Sequence, residues 1–257
     1  MIINDEFKAF TKLVLLLATL SFGAEIRGKL YFDAGKIDKD GVVTIDVSKY
    51  QNETEIVNIK DIDDYKALSK EEVDTFNLVA TDKSAFDSLK TTKPPTLAEE
   101  IACPGVTVSY ADGIYGMMGF TTKAVENVDL KPSITWFFKN SPSKIEFTNM
   151  DNATEAEKKE YVNISLTQTC VGEANIWSSY ALARGGVADA GCYSNDKVPV
   201  DNKCNVDGGS SKTYLKGYRV GLYYDADVAT MKKLVSRFGA VGTYKLGIII
   251  GWEKKDD

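Results

Sequence analysis

The sequence predicts an α+β fold, and three observations carry that prediction. Between Gly28 and Ile59 apolar and polar residues alternate, as in KLYFDAG and GVVTIDV, which is the period of half-buried strands joined by Asp/Gly turns. Further along, apolar residues recur at helical spacing over residues 117–128, 154–162, 174–186 and 227–239. Near the end, GTYKLGIIIGW reads as a buried strand. Strand-like and helix-like segments are thus both present in one chain.

Taken in order, the strand region is followed by SKEE at Ser69, where a hydroxyl and Glu72 have capping-box spacing and predict a helix start. SAFDSLKTT adds a second short helix, and TTKPPT stops it, because adjacent prolines break helices and stiffen a linker. That linker sets a boundary between an N-terminal region, 24–100, and a later one, 101–257. GVTVSYADG reads as a strand or extended segment leading into DGIYGMMGF and a helix whose Met117, Phe120, Ala124 and Val128 share one face. SITWFF is strand-like, TEAEKKEYV a charged amphipathic helix, and ANIWSSYALARGG a helix ended by glycines. NDKVPVDNKCNVDGGSS is loop. TYLKGYRVGLYY is a strand, and Asp225 is the expected N-cap of a helix with the stripe Met231, Leu234, Val235 and Phe238, closed by Gly239.

The 257 residues, 44% apolar and 26% charged, suffice for one or two cores. A net charge of -6 with both signs interspersed offers no basic stripe for a phosphate backbone, so nucleic acid is not an expected partner. Residues 1–23 have the layout of a secretory signal peptide: Lys8 and Lys12, the apolar run LVLLLATLSF, then small residues, with cleavage after Gly23 placing Ser21 at the third position. The expectation is a secreted chain without a membrane anchor after cleavage. In an oxidising compartment the four cysteines, Cys103, Cys170, Cys192 and Cys204, are disulfide candidates with three possible connectivities. The absence of histidine and of any Cys-x-x-Cys removes most zinc and copper site types, and no cofactor is expected. Asn52, Asn152 and Asn163 each open an Asn-x-Ser/Thr triplet and are glycosylation candidates.

Several segments resemble the papain-like cysteine proteases, closest to the mite group 1 allergens and their catalytically inactivated paralogues. GVTVSYADGIYGMMGFTTKAVE is similar to the family's nucleophile loop and helix with one residue fewer. ISLTQTCVGEANIW, GGVADAGCYSNDKVPVDNKC and YLKGYRVGLYYDADVATMKKLVSRFGAV resemble the segments that follow it. SAFDSLKTTKPPTLAEEIAC resembles the junction of pro-segment and mature chain, and KLGIIIGWEKKD a later strand. The resemblance covers roughly residues 65–257 and implies a shortened, degenerate papain-like fold with a helical half and an antiparallel β half. Strands from residues 28–60 are then expected to pair with the region 213–251.

By that resemblance Met117 or Met118 stands at the nucleophile, Asp112 at the oxyanion glutamine and Lys245 at the histidine. A thioether has no proton to lose, and a carboxylate repels a developing oxyanion, so the implied chain is an inactive homologue. Tyr115 replaces the first cysteine of one family bridge; the resemblance leaves Cys170 with Cys204, and Cys103 and Cys192 to pair or stay free. The expected role is binding of a host or extracellular protein, an inhibitor or a peptide. Two alternatives stand beside it: a structural or antigenic secreted protein of unrelated α+β fold, and an active cysteine peptidase relative whose site is misaligned. An enzyme of another class using Asp112 with Lys245 is a third.

Overall fold

The computed structural model describes residues 28–49, 57–70, 73–171, 174–243 and 247–254. The signal-peptide segment, Asn52 and Lys245 lie outside the described residues. The fold is α+β: among the described residues there are eight α-helices, one of them central, and five small sheets.

The N-terminal strands are β1 (Leu30–Asp33), β2 (Lys36–Ile37), β3 (Val42–Asp46) and β4 (Val57–Lys60). They form no sheet of their own. β1 pairs antiparallel with β4 on one side and with β10 (Leu222–Tyr223) on the other, Leu30 opposite Tyr223 and Tyr31 opposite Leu222. The expected pairing of this region with residues 213–251 is thus present. β3 instead runs parallel to β6 (Lys144–Thr148), Val43 opposite Ile145 and Ile45 opposite Phe147, and β6 pairs onward with β7 (Ile164–Ser165). Alternation decides the faces: Val43, Ile45, Ile145 and Phe147 point to one side, where Ala34, Val47 and Tyr180 close a core.

β5 (Thr75–Asn77) pairs with β13 (Gly251–Glu253), and Phe76 stacks on Trp252 at 4.5 Å. This corrects the helix expected from Ser69: the described residues there are not helical, and the strand that follows gains a ladder and an aromatic stack that outweigh a local cap signal. The helix α1 (Lys83–Ser88) forms as expected, capped by Asp82. The TTKPPT stretch is anchored to the rest of the chain. Buried Thr91 donates to the Leu130 carbonyl at 2.8 Å, and the Lys93 carbonyl accepts from Tyr115 at 3.1 Å.

Two segments expected as strands are helices. Residues 104–111 form α3 (Pro104–Ala111), which follows α2 (Leu97–Ala102) directly. Pro104 sits in the first turn, where its missing N–H costs nothing. Residues 134–140 form α5 (Ile134–Asn140), because Ser133 Oγ accepts from Trp136 N at 3.1 Å and caps it. The β-branched and aromatic content of SITWFF suits a strand, yet burial of Ile134, Phe137 and Phe138 against neighbouring helices decides the outcome.

The central helix is α4 (Ile114–Glu126). It touches α3, α7 (Ala174–Gly185) and β8 (Val187–Ala188) on one side, and α8 (Val228–Phe238) and β11 (Val241–Thr243) on the other. A Cβ on Gly119 would collide with Thr91, so that glycine permits the close approach of the anchored stretch. The charged helix α6 (Glu155–Glu160) forms as expected, with a Thr154–Glu157 capping box. TYLKGYRVGLYY contributes only β9 (Thr213–Tyr214) and β10, with a turn between. The N-cap of α8 is Asp227, whose carboxylate accepts from Thr230 N at 2.7 Å; Asp225 sits instead in a left-handed turn at φ 58°. The final apolar run folds as a hairpin, β11 with β12 (Gly247–Ile249), and then β13.

Candidate functional site

The α3–α4 corner is where the sequence places its candidate residues. Asp112 closes α3, its N–H bonded to the Val108 carbonyl at 2.9 Å, and is exposed. Gly113 follows in a left-handed conformation, φ 79°, that turns the chain into α4. Met117 lies one turn in and is partly buried, with its sulphur toward Gly242 of β11. Met118 is buried in a core of Leu130, Phe137, Ala181, Leu182, Val187 and Leu215, against which Met117 also packs. Asp112 is left at the exposed end of α3 while both methionines pack inward. Ile248 of β12 packs against Gly113 and Gly116, where a Cβ on Gly116 would strike its terminal carbon.

Tyr115 is fully buried, and its hydroxyl donates to the Lys93 carbonyl. Burial pushes its pKa well above the usual tyrosine range, with the nearby Glu99 charge adding to it. A phenol held protonated and already donating cannot serve as a nucleophile. Glu99 is no solvated acid: it accepts from Lys131 at 2.8 Å, both side chains largely covered, while also closing the capping box of Thr96. Its pKa is lowered, with hydrogen bonds from Lys131 and Thr96 overcoming the upward push of burial.

The disulfides are Cys103–Cys170, with Cα atoms 4.7 Å apart, and Cys192–Cys204, at 4.6 Å. The implied Cys170–Cys204 bridge is therefore corrected. Cys103 stands at the α2–α3 junction, where Gly105 N–H bonds the Cys170 carbonyl at 2.8 Å, so a backbone bond joins the two segments beside the disulfide. Closing loops of 67 and 12 residues contributes about 4 and about 3 kcal/mol in the chain-entropy description. All four cysteines are consumed, and none is a free thiol. Bridges of this kind belong to oxidising compartments.

A polar cluster that the sequence did not reveal lies where β1 ends. Arg219 donates to Ser179 Oγ at 3.2 Å, to the Gly35 carbonyl at 3.0 Å and to the Asp33 carbonyl at 2.8 Å, and lies over the Tyr180 ring. Tyr180 donates in turn to the Ala34 carbonyl at 2.6 Å. Burial raises the Asp33 carboxyl above its usual range, opposed by the Arg219 charge and by Ser179. No local pattern could announce this group, since the bonds that tie it to the β1–β2 turn span 146 to 186 residues. Acid, hydroxyl and guanidinium are here used to hold backbone, and the arrangement clamps the β1–β2 turn onto α7.

Among the described residues no three His, Cys, Asp or Glu side chains gather as a metal site, and no helix is long and apolar enough to cross a membrane. Asn152 is exposed in the turn before α6; Asn163 is exposed, with its side-chain oxygen accepting from Phe147 N at 3.0 Å. Compared with known proteins, the chain matches no family model, no curated protein and no solved structure.

Proposed function

We propose that this chain is a secreted, catalytically inactive relative of the papain-like cysteine proteases that acts by binding a host or extracellular protein, an inhibitor or a peptide. One observation supports the inactive reading above the others. Every sulphur able to become a thiolate is locked in a disulfide, and the chain holds no imidazole to activate one. Acyl transfer of the cysteine type needs both. The placement of the degenerate positions at the start of a central helix, between two packed groups of elements, supports the kinship.

The test uses the purified full chain with casein and with a thiol-directed irreversible inhibitor, followed by calorimetry against protein inhibitors of papain-like proteases. The expected result is no turnover, no labelling, and saturable binding. Turnover or labelling at a cysteine overturns the inactive reading. A second reading, a structural or antigenic protein of unrelated α+β fold, is favoured by the disulfide pairing, which departs from the one the resemblance implied. Absence of any inhibitor binding would favour it.

A further inference from the structure

We infer that Asn152 and Asn163 carry N-linked oligosaccharides, and that the one on Asn163 covers the open edge of the four-stranded sheet. The inference rests on the secretory part of the proposed function and not on the papain-like kinship. Both asparagines open a triplet without proline, Asn152-Ala153-Thr154 and Asn163-Ile164-Ser165, and the two triplets flank α6. In each, the asparagine and the hydroxyl residue are exposed while the residue between them is held inward: Ala153 is buried, and Ile164 packs on the core of Val43, Ile145 and Phe147. Each acceptor is thus anchored by its middle residue and presented by the outer two. An oligosaccharide added to the extended chain is accommodated at either position when the fold closes.

The donor this chemistry needs is an oligosaccharide activated as a polyprenyl diphosphate, used by the transferase of a eukaryotic secretory pathway. Asparagine Nδ2 attacks the first sugar carbon, the bond from that carbon to the diphosphate oxygen breaks, and the lipid diphosphate leaves. One Nδ2 proton passes to a base on the transferase, and nothing is oxidised or reduced. The product keeps the amide carbonyl and one N–H. At Asn163 that retention matters. Lys144 pairs with Ser165 and Ile145 with Ile164, so Asn163 lies one step beyond the β6–β7 ladder, where its side-chain oxygen accepts from Phe147 N at 3.0 Å. A linked glycan leaves this bond intact, and the bond, by holding the amide oxygen toward β6, turns the nitrogen away from it.

The edge gives the second glycan its role. Among the described residues the sheet runs β2-β3-β6-β7, so β7 is an edge strand, and Val162 just before it is 57% exposed. Unpaired edges beside apolar residues recruit strands from other chains, and proteins protect them with charge or by covering them. Residues 161–169, YVNISLTQT, carry no charge. Covering is the protection left, and a bulky, hydrated group on Asn163 supplies it.

The experiment expresses the full chain in a eukaryotic secretory host, once with its own residues 1–23 and once with a proven leader in their place. Glycans are released enzymatically in heavy-oxygen water, which turns each occupied Asn into a labelled Asp that peptide mass spectrometry locates. The expected result is label at both Asn152 and Asn163 in protein from the medium. Secreted protein unlabelled at either site overturns the inference. An own-leader chain that stays in the cell unlabelled overturns it together with the secretory reading. The replaced-leader chain then tells the two apart: label at both sites puts the failure in secretion, and missing label puts it in the acceptors. Ser165→Ala removes the second triplet and spares the bond to Phe147, whereas Asn152→Gln removes the first and spares the Thr154 cap of α6. Each variant should lose one glycan. Glycosylated Ser165→Ala should aggregate at a lower onset temperature, by light scattering, than Asn152→Gln, and the two should agree when made without glycans in a bacterial periplasm. Trimming folded Asn152→Gln with an endoglycosidase should produce the same downward shift without altering β7. Equal onsets of the glycosylated variants, no shift on trimming, or a difference that persists without glycans overturns the role at the edge.

Discussion

Asp33 shows how one residue can set a sign. Its carboxyl is raised in the fold by burial, so ionisation disfavours the native state. That cost is absent below the unfolded-state value of about 4 and fully present once pH has risen through the folded-state value. Asp61, Asp82, Glu157 and Asp227 act oppositely: hydrogen-bond donors hold them low, and they contribute stability above about pH 4 that is lost as pH falls. The comparison is therefore parent against Asp33→Asn, by urea unfolding near pH 3.5 and near pH 7. The variant should gain on the parent as pH rises. A variant that loses ground near neutral pH would show that Arg219 depends on the charge more than burial opposes it.

At the scale of elements, α5 is the instructive case. Ser133 is buried, its oxygen accepting from Trp136 N and sharing a hydrogen bond with Thr135 at 3.0 Å. Ser133→Ala should cost about 1 to 2 kcal/mol in denaturant unfolding, the loss of a buried helix cap. A change under about 0.5 kcal/mol would mean the cap contributes nothing. Local chemistry made some elements legible and hid others. The stripe Met231 to Phe238 stopped by Gly239, and the charged amphipathic run TEAEKKEYV, announced α8 and α6, although the cap of α8 is Asp227 and not the expected Asp225. SITWFF and GVTVSY misled because Ile, Val, Thr and Phe favour strands locally, whereas their neighbours in space, invisible in one dimension, favour helices. The site was legible only as a list of positions. Asp112 and the methionines lie at the corner the sequence marks, the acid exposed and the sulphurs packed inward, but the Arg219 clamp depends on partners far along the chain.

On the whole-molecule scale, three of the five sheets among the described residues take strands from both residues 28–100 and 101–257. β3 gives β6 its parallel partner, β1 gives β10 its only ladder in that sheet, and β5 does so for β13. Trp252 donates to the Val73 carbonyl at 2.9 Å, and Leu68 N–H to the Ser236 carbonyl at 2.7 Å. Expressed alone, residues 101–257 should therefore lack a cooperative thermal transition by near-ultraviolet circular dichroism. A sharp transition from a monomeric 101–257 fragment would show that the earlier strands are dispensable.

The parallel β3–β6 pairing also has a meaning in time. Val42–Asp46 must wait about a hundred residues for Lys144–Thr148, and at ribosomal speeds of about 5 to 20 residues per second that is a delay of roughly 5 to 20 seconds. Throughout that interval β3 has β2 on one edge, Ile37 opposite Val43, and its other edge stays open on the nascent chain. That single open edge is a hazard for mispairing until residue 144 emerges, so yield in a heterologous host should rise with chaperone supply.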